Sequence, residues 1–300
     1  LNPKSSDNIV FGKIKDNSTV YHLAEILNSH KIKFNRISED IVLDGEKYTK
    51  DNSFIIPLNQ PKRTLIDAMF YTQTEFKDSL FYDVSAWTFP LAFNVNYSYT
   101  NGLNKASISR LIGDEVESLE KPEGNVNSKS NYAYLFEPHE YYAQAAVYNL
   151  IKEGLRVKTA TRKFSIGNKE YDYGTYLIPV QNQSMSSEGI YNMLTEVSQK
   201  YNVDFESQST GITNGIDLGS DYFIIVKEPK IGLIVGDGVR SYDAGEIWHL
   251  LDTRYDIPIS KLDVDDLGSI DLDKYTHVIL PDYNGRKLNS DQLSTYINNG

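Results

Sequence analysis

Apolar positions along the chain recur in one order three times: a short strand, an amphipathic helix, an alternating strand, a polar stretch, a strand that stops at proline, and another helix. In the first copy NIVFG opens the pattern. Val20, Leu23, Ala24 and Leu27 then fall at i, i+3, i+4 and i+7, which places them on one helix face. KIKFNRI alternates Ile32 and Phe34 inward, and a turn at Asp44-Gly45 leads to SFIIPL. Pro57 ends that strand because it has no N–H to give to a ladder, and NQPKRTLIDAMF begins a helix.

The second copy runs through NYAYLF, then a helix with Ala143, Ala146, Val147 and Leu150 on one face and Gly154 as its stop. LRVKTA and TYLIPV follow, with Pro179 in the place of Pro57 and Asn182-Gln183 mirroring Asn59-Gln60. Ile190, Met193, Leu194, Val197 and Tyr201 line the next helix, and DYFIIV closes the copy. The third copy opens with KIGLIV, continues through Ala244, Ile247, Trp248, Leu251 and Tyr255 at helical spacing and then DIPISKL, and reaches proline in THVILPD. From Ile9 to Pro57, Tyr132 to Pro179 and Ile231 to Pro281 the spans are 48, 47 and 50 positions, so the register of the repeat is kept.

Apolar strands alternating with helices predict parallel sheets covered on both faces, because a parallel connection needs a crossover that packs on the sheet. The fold expected is α/β: repeated flavodoxin-like or Rossmann-like three-layer units with mainly parallel sheets. The units expected are 1–125, 126–228 and 229–300. The first carries the aromatic stretch FKDSLFYDVSAWTFPLAF as a packing segment, with Trp87 to Phe93 its main surface. The last is incomplete after the helix LSTYINNG, and the polar stretch from Glu117 to Ser130 marks the first boundary.

Composition narrows the function. A formal charge of -11 argues against the phosphate backbone of nucleic acid as a partner. No apolar run reaches the length of about 18 residues that spans a bilayer, so a soluble chain without a membrane span is expected. The absence of cysteine excludes disulfides, thiolate metal sites and a cysteine nucleophile within these 300 residues. The sequence begins at Leu1 without Met and holds no signal-peptide pattern, so any signal peptide is expected to have been removed upstream, and both ends read as fragment ends. The 22 tyrosines and many asparagines suit an outward-facing, hydrogen-bonding surface.

Several patterns carry possible chemistry. His22 and Glu25 form an H-x-x-E, the spacing at which an imidazole and a carboxylate share zinc, and His139 is a third candidate ligand. The plainer reading makes all three decoys, since His22 and Glu25 lie in the amphipathic helix and no Arg or Asn cluster follows. His139 and Glu140 stand after a strand as an acid/base or ligand-binding pair, or as a helix start. Gly236-Asp237-Gly238 joins a strand to a helix, where backbone N–H groups hold phosphates; the next glycine, Gly245, is out of place for a dinucleotide fingerprint, and a tight turn explains the glycines equally. Asp282, Asn284 and Arg286 follow the strand that ends at Pro281, a position where α/β sheets bind ligands and also an ordinary turn. Asp83 and Ser85 lack the glycines of a nucleophile elbow. The acidic run from Asp263 through Asp265, Asp266 and Asp271 to Asp273 lacks a calcium loop's glycine and glutamate and reads as a solvated linker.

FKDSLFYDVSAWTFPLAF, YAYLFEPHEYYAQAAVYNLIKEGLRVKTATRKF, YDYGTYLIPV and KIGLIVGDGVRSYDAGEIWHLLDTRYDIPISKLD together resemble the region after the catalytic domain in large Bacteroidetes-type zinc carboxypeptidases. The likeness covers most of the chain. It implies a class I glutamine amidotransferase-like fold without glutaminase chemistry, in a secreted, periplasmic or outer-envelope protein. Zinc and proteolysis then belong to a domain upstream of Leu1, no catalytic residue or cofactor to this region, and the partners implied are that domain and peptide substrate. The function expected is a non-catalytic accessory region. Two alternatives stand beside it: a small-ligand or peptide-binding module with sites near His139, Asp237 and Asp282, and a self-sufficient hydrolase using His22, Glu25 and His139.

Overall fold

A computed structural model of the chain describes residues 8–72, 88–285, 288 and 290–299. Its contacts divide it into two compact units: one holds the chain up to Pro122 together with His139–Tyr141, the other Glu123–Pro138 and everything from Tyr142.

The first unit runs β1 (Asn8–Gly12), α1 (Asn17–Ser29), β2 (Asn35–Ile37), β3 (Ile41–Leu43), β4 (Glu46–Tyr48), β5 (Ser53–Pro57), α2 (Arg63–Phe70), α3 (Phe89–Ala92), β6 (Asn96–Tyr99), α4 (Lys105–Leu111) and β7 (Ile112–Glu115). Its main sheet has the order β6-β1-β5-β2-β7, and every neighbouring pair is antiparallel. β1, α1 and β2 form a βαβ unit split by a gap one strand wide, and β5 fills that gap from the opposite direction. This is the split βαβ of a βαββαβ domain, with β7 added at an edge.

α1 starts where the Asp16 carboxylate accepts from the Thr19 N–H, and it buries Val20, Leu23, Ala24 and Leu27 against the sheet. Each of those Val and Leu side chains is worth about 1.5–3 kcal/mol on burial. Ile9, Phe11, Phe54 and Ile56 face the helices in one core, with Phe89 and Phe93 packed at its margin. Val10 and Ile55 point to the other face, where the β3–β4 hairpin covers them with Leu43 and Tyr48.

The second unit repeats this order: β8 (Ala133–Phe136), α5 (Ala143–Lys152), β9 (Lys158–Ala160), the hairpin β10 (Phe164–Ile166) and β11 (Lys169–Tyr171), β12 (Tyr176–Pro179), α6 (Ser187–Tyr201), β13 (Glu206–Gln208) and β14 (Phe223–Ile225). Its sheet, β13-β8-β12-β9-β14, is again antiparallel throughout. Here the Ser186 hydroxyl accepts from the Gly189 N–H to start α6, and Asn202 ends it in the left-handed conformation.

The two five-stranded sheets therefore correct the expected parallel, Rossmann-like and amidotransferase-like units. The physical reason lies in 38–52 and 161–175, which hold hairpins and no helix. A strand reached without a crossover must return antiparallel, and both β5 and β12 do so by entering the gap that the preceding helix left. Helices consequently cover one face and a hairpin the other, in place of helices on both.

A proline closing a central strand leaves a hole in the ladder, and both units mend it alike. The registers of β5 with β2 and of β12 with β9 set Pro57 opposite Lys33 and Pro179 opposite Arg156. In the first unit the Gln60 side chain accepts from the Lys33 N–H at 2.9 Å and donates to the carbonyls of Lys33 and Pro57 at 2.9 and 2.6 Å. In the second, Gln183 accepts from the Arg156 N–H at 2.8 Å and donates to the carbonyls of Arg156 and Pro179 at 3.0 and 2.7 Å. The amide thus takes the place of the peptide group that proline cannot offer.

The second unit also holds a three-stranded sheet, and this one is parallel. β15 (Ile231–Val235) lies between β16 (Ile259–Asp263) and β17 (His277–Ile279). α7 (Ser241–Trp248), which continues into a wider π turn over His249–Arg254, makes the crossover from β15 to β16. The acidic run forms two short 3₁₀ turns in which Asp263 and Asp271 accept from the N–H groups of Asp265 and Asp273. Val264, Leu267 and Leu272 are buried beneath it with Ile234 and Leu262, so this stretch is part of a core as well as a solvated face. α8 (Ser290–Asn299) closes the described chain. Of the aromatic stretch at 76–93, residues 76–87, with Asp83, Ser85 and Trp87, lie outside the described residues.

Two outcomes follow in unfolding by denaturant. Gln60→Ala and Gln183→Ala each lose stability, by about 1 kcal/mol at Gln60, whose contacts are more exposed, and about 1–3 kcal/mol at Gln183; two neutral substitutions contradict the clamp. The Tyr48 phenol, which meets the Ser98 hydroxyl at 2.9 Å, is pushed up from 10.0 to about 12, chiefly by burial, against the opposing effect of that bond. Its neutral form is favoured in the folded state, so its contribution is whole below pH 10 and is lost as the pH rises toward 12. Tyr48→Phe flattens part of that alkaline loss of stability; an identical slope in both proteins contradicts the assignment.

Candidate functional site

A cavity of about 280 Å³ opens between α7 and the parallel sheet, next to the carboxyl end of β15. Leu233 and Val235 form its floor on one face of that strand, while Ile234 points into the core on the other. Two small residues of α7, Ala244 and Gly245, leave the space open, and a side chain added at Gly245 meets nothing within 4 Å. Lys261 of β16 and Trp248 of α7 form another wall, the ammonium 5.6 Å from the ring centroid. The Ser241 residue at the start of α7 adds a hydroxyl to the lining. An apolar pocket with one cation and one hydroxyl is suited to holding a small ligand, and its lining contains no carboxylate or imidazole for proton transfer.

The turns flanking this cavity unite two stretches distant in sequence. The Arg240 N–H donates to the Asp282 carbonyl, the Asn284 N–H donates to the Gly238 carbonyl, each at 2.9 Å, and Val239 bridges Tyr283. Gly236 and Gly238 have φ of +107° and +85°. A Cβ at Gly238 would stand 2.5 Å from the Gly285 Cα, and one at Gly236 would stand 2.8 Å from an Asp263 carboxylate oxygen. The glycines are required by the turn itself. The side chains of Asp237, Asp282 and Asn284 are exposed around it, and Arg286 lies outside the described residues.

His22 is spent on α1. Its Nδ1 is 3.4 Å from a Glu25 carboxylate oxygen, and its ring, on a side chain only 12% exposed, meets the rings of Tyr21 and Tyr141 at 5.4 and 5.3 Å between centroids. The Tyr21 hydroxyl donates to the other Glu25 oxygen, and burial first, then Glu25, raises its pKa. His139 and Glu140 occupy the turn between β8 and α5. Among the described residues no three His, Asp or Glu side chains come together as a set able to hold a metal ion.

A further polar cluster lies under the β10–β11 hairpin. Lys169 bridges Glu137, at 3.1 Å, and Glu206, while the Tyr171 hydroxyl donates to Glu206 at 2.6 Å. Burial first, then Glu206, drives the Tyr171 phenol far above its usual range. The registers place Glu206 in the second unit where Ser98 stands in the first, and Tyr171 where Tyr48 stands. The cluster is the charged version of the bond that ties the first unit's hairpin to its sheet.

Sequence periodicity located the turns at Gly236 and Asp282 and set Trp248 on a helix face, but gave neither Trp248 nor Lys261 a place in a site. Its usable signal was the pair of small residues, Ala244-Gly245, on a helix that follows a strand. No family model, curated protein or solved structure matches the chain.

Substitution separates the two glycine roles. Gly245→Ala raises stability by about 0.5–1 kcal/mol, because alanine is the better helix former and has room. Gly238→Ala lowers it by more than about 1 kcal/mol, through its positive φ and the approach of Gly285. Thermal unfolding of the two variants checks this, and the opposite order contradicts the geometry described.

Proposed function

We propose that this chain is a non-catalytic accessory region of a secreted or periplasmic zinc-carboxypeptidase-like protein, and that it binds ligand for chemistry performed by an upstream domain. The observation that carries the binding role is the cavity beneath α7: an apolar floor, the Lys261–Trp248 wall and the Ser241 hydroxyl suit capture of a small molecule or peptide side chain. The placement in a carboxypeptidase-like protein rests on the sequence resemblance, and zinc and peptide cleavage belong to the upstream domain in this reading.

Metal content and carboxypeptidase activity, measured on this chain and on one extended upstream, test the proposal. Only the longer protein is expected to hold zinc and cleave peptides. Stoichiometric zinc with cleavage in the 300-residue chain alone overturns it. Ligand capture is tested by thermal unfolding with short peptides, and Ala244→Leu, which fills the cavity, is expected to remove any stabilisation they give.

A further inference from the structure

The duplicated sheets differ in charge at one edge. On the hairpin face of the first unit, Asn35 of β2 pairs with Glu115 of β7, and the Glu115 carboxylate reaches the Lys33 ammonium at 2.8 Å. In the second unit the matching registers put Arg156 in the place of Lys33, Lys158 in that of Asn35, and Ile225 in that of Glu115. A second cation has been gained, and the carboxylate that answered the first has become an isoleucine, 57% exposed.

Arg156 and Lys158 are alternate residues of one extended segment, so both side chains stand on the same face, where like charges repel. Neither has a carboxylate within ion-pair distance among the described residues. Arg156 is held in place: its backbone is clamped by Gln183, one terminal nitrogen of the guanidinium donates to the Gln181 carbonyl at 2.9 Å, and Nε is buried with no hydrogen-bond partner.

Both cations line a cavity of about 340 Å³ at the end of the sheet where β12 stops. Tyr132 and Asn182 add polar groups to its wall, Leu177 and Leu218 give it an apolar side, and no acidic residue is in the lining. In a chain of net charge -11, two uncompensated cations gathered around a cavity of ligand size are an electrostatic demand for an anion.

We propose that this cavity binds the carboxylate of a small ligand carrying an apolar side group. Arg156 and Lys158 meet the carboxylate as Lys33 meets Glu115, and Leu177 and Leu218 receive the side group. The site is separate from the cavity beneath α7 and stands whether or not the accessory reading holds.

The test is calorimetric titration of the 300-residue chain, with NMR of the Arg156 side-chain N–H to place the ligand, using acetate, N-acetyl-leucine, N-acetyl-phenylalanine, the two corresponding amides and inorganic phosphate. The N-acetylated acids are expected to bind, with the amides and phosphate weaker by about tenfold or more. Arg156→Gln combined with Lys158→Gln is expected to weaken the acids by at least about tenfold. Ile225→Glu restores the internal carboxylate of the first unit, so it is expected to remove acid binding to a similar degree without lowering the thermal midpoint. Equal binding of acids and amides, preference for phosphate, unchanged affinity in Ile225→Glu, or no response to any of the acids overturns the proposal.

Discussion

The antiparallel units depend on one constraint: the strand that fills the gap in each βαβ must end at a proline and still hold the strand beside it. Pro57 and Pro179 stop the chain so that α2 and α6 can begin soon afterwards, yet each faces a residue whose peptide N–H and C=O need partners. Gln60 and Gln183 supply both from a single side-chain amide. With that junction closed, the inserted strand carries side chains into both cores of its unit. Ile55 meets the hairpin and Ile56 the helices, and Leu177 and Ile178 repeat the division.

Duplication then makes differences informative. The two units share strand order, hairpin and glutamine clamp, so a position that changes character against this background marks altered local chemistry. Ser98 becomes Glu206, and Lys169 comes with it, so the added charge is answered within the chain. Glu115 becomes Ile225 while Lys158 appears, and here the charge is left for something else to answer. The first exchange builds a structural network and the second leaves an anion-seeking edge.

Much of this was legible in the residues. Helical spacing placed α1, α5 and α6, the prolines marked the ends of β5 and β12, and the correspondence of Gln60 with Gln183 was visible before its purpose was. Strand direction was not legible in the same pattern: apolar strands between helices suit crossovers, whereas 38–52 and 161–175 hold only hairpin turns. The parallel arrangement holds for β15, β16 and β17, where α7 does supply a crossover. The turns of Asp237 and of Asp282 and Asn284 are each visible in the sequence, but their union through backbone hydrogen bonds depends on the return of β17 beside β15. The role of Arg156 and Lys158 is not legible in the sequence, because the isoleucine that stands where the first unit has a carboxylate meets them only through the pairing of Lys158 with Ile225.

The most direct test of the duplicated antiparallel arrangement is backbone NMR of cross-strand proton contacts. Close contacts are expected for the pairs Val10 with Ile55, Asn35 with Ile55, Leu135 with Leu177 and Lys158 with Leu177, which set the inserted strand between its two neighbours in each unit. Direct ladder contacts between β1 and β2, or between β8 and β9, with β5 and β12 elsewhere, would show parallel βαβ units and contradict the architecture.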